Sequence, residues 1–284
     1  ESYAFDQKSI FMVDNSTQEV TNVYSAEFGA PFLNLLNVEY NNTDNSLMLY
    51  SEELGLKKFD LTEDKIQSVI ENKIGSGIEL RGSSFSAIDQ SNKTLYLANL
   101  TSVSSRMITE LNLNTGVKRE LFNLEEIGTI GNISSMVYSA TDNSLYLADY
   151  NSLHRIDIET SELFQVTSAS AEPEIQSIAK LAIDNINGVL FIADSTSESI
   201  ISLGIDDNEV SLVWTAGDGV GLSGVSSLTL DEISGTLYAG RMFNKEIISV
   251  NANTGENVAV INQCNGIELT DNGLSKLYFD SFTN

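Results

Sequence analysis

A unit of three short apolar runs, repeated along the whole chain, constrains this sequence more than any other feature. It is clearest at 177–206, SIAKLAID-NING-VLFIAD-STSES-IISLGID, where Asn/Gly and Ser/Thr breaks separate runs rich in Ile, Leu, Val and Ala. Each run has strand length and each break has turn chemistry, so the stretch predicts a β-meander with no room for a helix. A Leu–aromatic pair in the second run marks the phase. It stands at Leu190–Phe191 and recurs as Leu95–Tyr96, Leu145–Tyr146, Leu237–Tyr238 and Leu277–Tyr278, with Leu47–Met48 a weaker copy. The intervals are 48, 50, 45, 47 and 40 residues. That is the range of propeller blades, about 40–50 residues each.

Two polar columns keep the same phase. Six residues before each anchor stand Asn41, Asp89, Ser139, Asp184, Asp231 and Asp271. Small polar side chains bond their own backbone and hold tight turns, so this column predicts the corner between first and second strands. A ring of metal carboxylates is the competing reading; a turn explains all six without a ligand. A third-strand column follows at Asp14, Asp60, Asn112, Asp157, Asp206 and Asn251, and two copies read NLNTG (112–116) and NANTG (251–255). These turns lead into a fourth strand, as in VKRELFNL (117–124) and EVSLVWTA (209–216). A four-stranded sheet with two apolar faces cannot bury both alone, whereas sheets stacked around an axis can.

The predicted fold is therefore all-β: a six-bladed β-propeller with four antiparallel strands per blade, one domain over residues 1–284. Its last blade is expected to close with two strands from each terminus. GIELTDN and KLYFDSF would come from the C-terminal end, SIFMVD (9–14) and EVTNVYS (19–25) from the N-terminal end. Residues 1–6 are then surplus, although 3–23 align without a gap on 146–166.

Copies such as KLAIDNINGVLFIAD and SLTLDEISGTLYAGR resemble six-bladed propellers of the NHL, YWTD and gluconolactonase-like (TolB-like) group. The loop TAGDGVGLSGVSSLTLD (215–231) is similar to the Gly-rich connection between NHL blades, while the YWTD tetrapeptide itself is absent. By fold analogy, a ligand would meet the channel mouth formed by the loops before first strands and after second strands. The second-strand ends place Ser51, Asn99, Asp149, Asp194, Arg241 and Ser281 there, with Asp280 beside the last. The loops entering first strands add Glu27, Glu79, Arg81, Glu125, Glu126, Glu172, Glu174, Asp218 and Asn265. The face is mainly acidic, with Arg81, Arg241 and Asp280 as candidate ligand-binding residues.

The segment AEFGAPF (26–32) is similar to the Glu-x-Gly-Pro segment of gluconolactonase-like enzymes, with an Ala between Gly29 and Pro31. The resemblance makes Glu27 a candidate ligand for Ca2+ or another divalent cation. A hard cation needs further oxygen ligands, and Asn99, Asp149 and Asp194 are the candidates by phase. Other chemistry has little to stand on. His154 is the one histidine, so a Ser-His-Asp arrangement would rest wholly on it, and its place in LHRIDI reads as a strand face. Gly217–Gly224 lacks the Lys of a phosphate loop. Trp214 and the anchor aromatics read as packing between sheets.

Composition narrows the partners. With 15 Lys+Arg against 40 Asp+Glu the formal charge is −25, which disfavours nucleic acid and anionic membrane. No apolar run approaches the about 20 residues of a membrane helix, so no membrane insertion is expected. The one cysteine, Cys264, allows no internal disulfide. The reading is a monomeric, non-catalytic propeller that binds a small molecule or protein, exported from a bacterial cell to the periplasm or beyond. The alternative is a metal-dependent lactonase or hydrolase with its site at the channel mouth.

Overall fold

A computed structural model describes residues 2–5, 9–13, 20–25, 35–51, 55–63, 65–70, 83–99, 106–125, 130–168, 175–217, 221–241, 246–261 and 276–279. Among these residues the strands form six four-stranded antiparallel sheets, each ordered as a simple meander. Two compact units hold them. One comprises residues 7–9 and 24–130, the other 1–6, 10–23 and 131–284.

The smaller unit contains sheet B (Leu35–Asn41, Ser46–Ser51, Gly55–Asp60, Lys65–Ile70) and sheet C (Ser83–Asp89, Thr94–Asn99, Met107–Asn112, Lys118–Asn123). The larger contains sheet D (Ser135–Ser139, Ser144–Ala148, Ser152–Asp157, Leu163–Ser168), sheet E (Ile178–Asp184, Val189–Asp194, Ser199–Gly204, Val210–Thr215) and sheet F (Val225–Asp231, Thr236–Arg241, Glu246–Asn251, Asn257–Ile261). It also contains sheet A, in which Lys276–Phe279 pairs with Ser2–Phe5, followed by Ser9–Val13 and Val20–Ser25. First strands of successive sheets lie against each other: B on C, D on E, E on F, and F on A.

The anchor pair works because successive strand residues point to opposite faces. Leu190 and Ile192 of sheet E pack on Tyr146, Ala148 and Leu153 of sheet D. Phe191 and Ala193, one residue on, pack on Leu237 and Ala239 of sheet F. In the other unit Met48 and Tyr50 of sheet B meet Leu95 and Leu97 of sheet C. Leu95, Leu190 and Leu237 thus face the preceding sheet, and Met48, Tyr146 and Phe191 the following one. Trp214 joins the cluster between E and F, the packing role expected of it.

The turn columns hold as expected at most described positions, Ser139 and Asp206 being the exceptions. Between first and second strands, Asp89 Oδ1 accepts from the amides of Ser91 and Asn92 (3.0 and 3.1 Å), and Asp184 Oδ1 from Ile186 and Asn187 (3.0 and 2.9 Å). Each turn closes four residues on in a left-handed conformation, at Asn45, Lys93, Asn143, Gly188 and Gly235. Ser139 sits in the same turn with no hydrogen-bond partner on its Oγ among the described residues. In the third-strand column Asp60, Asn112, Asp157 and Asn251 each accept from the amides two and three residues on. Asp14 and Asp271 lie outside the described residues.

Two expectations need correction. In sheet E the third-strand column falls on Gly204, not Asp206: Gly204 makes the backbone bonds to Glu209 and Asn208 that Asp157 makes to Glu162 and Ser161. The Asp207 carboxylate lies where a Gly204 side chain would project and accepts from the Glu209 amide at 2.9 Å. The second correction concerns sheet A, which takes one strand from the C-terminal end and three from the N-terminal end rather than two from each. Ser2–Phe5 is its second strand, the place that the alignment of 3–23 on 146–166 gives it. Leu277–Tyr278 therefore lies in a first strand, which is why the last anchor interval is short. GIELTDN lies outside the described residues.

A row of side chains missed by sequence reasoning stitches neighbouring sheets together, one position after the first polar column. Gln90 donates to Tyr40 O at 2.7 Å, Asn185 Oδ1 accepts from Ala140 N at 2.7 Å, and Glu232 Oε1 accepts from Asn185 N at 2.7 Å. Burial pushes the Glu232 carboxyl up from 4.5, opposed by the Asn185 amide and helped by the carboxylates of Asp184 and Asp231.

Two outcomes are expected. Truncation before residue 266 removes the first strand of sheet A and should abolish cooperative unfolding in a denaturant titration. The raised Glu232 carboxyl contributes stability below pH 4.5 that is lost as pH rises through its folded value. Glu232→Gln keeps the acceptor for Asn185 and removes that loss, so its melting temperature should exceed the parent's at pH 7, the gap closing below pH 4.5.

Candidate functional site

The second-strand ends, where the sequence places its site residues, are built for holding loops. Asp194 closes the second strand of sheet E with its side chain fully buried. Its Oδ1 accepts from the amides of Thr196 and Ser197 (both 2.8 Å), which fixes the turn into the third strand. Its Oδ2 accepts from Gln176 and Ser177 (2.5 and 2.8 Å), in the segment entering the first strand. One carboxylate thus ties together both connections at this end of the sheet.

Asp149 repeats the device in sheet D. Its Oδ1 accepts from the amides of Asn151 and Ser152 (3.1 and 2.7 Å), and its Oδ2 from Gly131 (2.9 Å). His154 Nε2 lies 3.3 Å from the same Oδ2. The histidine is 2 % exposed on the third strand, where it braces this carboxylate from inside the sheet. A carboxylate offers about four lone-pair sites. Asp194 fills four with backbone amides, and Asp149 fills three with amides and turns the fourth toward His154. A cation at either residue would have to displace donors that hold the loops.

The other positions differ. Arg241 ends the second strand of sheet F, 7 % exposed, and its guanidinium donates to Glu246 Oε2 at 2.6 Å, while its Nε has no partner among the described residues. Asn99 ends that of sheet C, 5 % exposed, with no partner on Oδ1 among the described residues. Asp149 and Asp194 share one unit, and Asn99 belongs to the other. Glu27, Arg81, Asp280 and Ser281 lie outside the described residues. Because Ser2–Phe5 is the second strand of sheet A, the residue in phase there is Asp6, which the sequence reading missed; it too is outside them. The gapless match of YAFD to YLAD is the signal that points to it. No group of three or more His, Cys, Asp or Glu side chains that could hold a metal occurs among the described residues. Among the described residues there is no helix long and apolar enough to cross a membrane.

No family model and no curated protein matches the chain. Solved structures do. A chain of a nidogen/laminin complex is similar with a TM-score of 0.71 at 12 % identity, over 97 % of this chain and 96 % of that one. The extracellular domain of a putative hybrid two-component system from B. thetaiotaomicron is similar with a TM-score of 0.62 at 15 % identity, over 98 % of this chain and 34 % of that one. With the repeated four-stranded meanders packed through their first strands, the chain is an all-β propeller.

Asp194→Ala leaves four amides at a buried position without their acceptor. It should cost about 3–5 kcal/mol of unfolding free energy by urea titration.

Proposed function

We propose that the protein is a non-catalytic binding module: a single propeller domain of six blades, of NHL/YWTD type, working outside the cytoplasm on a protein partner. Six sheets of one topology and a six-fold sequence period support the blade count. The observation that carries the binding reading is the chemistry of Asp149 and Asp194. By phase both are candidates for the oxygen ligands that a hydrolase of this group would need, and both are taken up by donors of their own sheet. Such a column makes a rigid frame that presents loops. The similar solved structures, one a protein–protein complex and one an extracellular domain, agree with a recognition role. The charge of −25 selects partners with basic surfaces through long-range attraction.

The competing lactonase reading sets the test. The chain is assayed against a panel of lactones with Ca2+ or Zn2+, and titrated with each cation by calorimetry. The expected result is no turnover above buffer and no stoichiometric cation uptake. Turnover that disappears in Glu27→Ala would overturn the non-catalytic assignment.

A further inference from the structure

The most exposed large hydrophobic side chains among the described residues are Ile186 and Ile233, at 69 % and 66 %. Both occupy the same slot, two residues after the column aspartate in the turn between first and second strands, in adjacent sheets E and F. Sheets B, C and D carry Thr43, Ser91 and Thr141 in that slot. Aliphatic side chains replace small polar ones where the turn geometry makes no use of them.

The backbone under the two isoleucines is fixed. The amide of Ile186 donates to Asp184 Oδ1 at 3.0 Å and that of Ile233 to Asp231 Oδ1 at 2.9 Å. Gly188 and Gly235 close the turns at φ of +65° and +66°. Asn185 joins the turn of sheet D through Ala140 N and Thr141 Oγ1 and the turn of sheet F through Glu232 Oε1. A platform already ordered loses little conformational freedom on binding.

The charge around the pair has one sign. The turns 184–188 and 231–235 hold no Lys or Arg. Asp184 and Asp231 are buried in service of their own turns, so the negative charge that reaches solvent here comes from half-buried Glu232 and from exposed Asp206 and Asp207, whose turn adjoins through Ile205 N to Gly188 O at 2.9 Å. In the neighbouring turn of sheet D, Asp142 is the acidic residue, and the nearby Arg155 lies 3.4 Å from it and over the ring of Phe164. A second copy of this chain, itself at −25, would be repelled from such a face.

We propose that the linked turns of sheets D, E and F form a docking face for a basic polypeptide segment of a partner protein, with an apolar side chain of that segment seated against Ile186 and Ile233 between flanking lysines or arginines. This rests on the binding reading above and names the partner's chemistry and the end of the sheets that it meets.

The test uses the full chain and a fluorescein-labelled peptide alternating lysine and leucine, read by fluorescence anisotropy at low and physiological salt. Binding should weaken at least about tenfold in the double variant Ile186→Thr/Ile233→Thr, with an unchanged melting curve. It should weaken as much when serine replaces the peptide leucines and vanish when glutamate replaces its lysines. Leu212→Thr, which alters an exposed side chain on the fourth strand of sheet E, should bind as the parent does. Amide exchange should slow on binding at 184–188 and 231–235. Equal binding by the double variant, no binding by the parent, or protection confined to the opposite ends of the sheets would overturn the docking face. So would a parent dimer in sedimentation that the double variant loses. Lactone turnover would overturn the non-catalytic assignment and leave this face standing, whereas failure of the peptide to bind here leaves that assignment standing.

Discussion

Every described sheet flanked by neighbours has two faces to keep dry, and the second strand shows how the chain meets this demand. Alternate residues along it go to opposite sides, and here both sets are apolar: Leu190 and Ile192 to one neighbour, Phe191 and Ala193 to the other. A sheet patterned in this way has no solvent face and is stable only between two others. That is why the repeat is a requirement of the fold and not a decoration of it. It also sends charge to the turns, strand ends and outer strands, the places left in contact with water.

The polar residues at those turns divide into two kinds by what they hold. The columns at Asp89, Asp184, Asp60 and Asp157 accept from amides two and three residues away and shape one turn each. Asp149 and Asp194 reach further, to amides seventeen or eighteen residues back, and so set how a first strand enters its sheet. The row at Gln90, Asn185 and Glu232 reaches the next sheet altogether. Buried amides without partners are costly, so these acceptors hold the loops in one arrangement, and the surface they carry is preordered for recognition. Exposed isoleucines on two such turns stand out because the fold has no use for them.

Strand lengths, turn positions and the four-strand unit were legible in the sequence because each is fixed by residues a few positions apart. What it hid was strand identity at the ends of the chain. LYFD at 277–280 and YAFD at 3–6 carry the same pattern, and both read as second strands; only pairing between the termini makes the former a first strand. The turn at Gly204 misled for a related reason, since a carboxylate three residues on can fill the space of an absent one.

The sequence by itself determined a period of four short strands, the residues that turn between them, and an acidic surface, since hydrophobic alternation and turn chemistry act over a few residues. Tertiary structure alone decided which carboxylates are occupied and which side chains remain open. Asp194 looks like a free ligand until the segment at 176–177 folds back onto it, and Ile186 looks like any strand-flanking aliphatic until the fold leaves it exposed. Both outcomes depend on chain segments brought together from a distance, which no local pattern encodes.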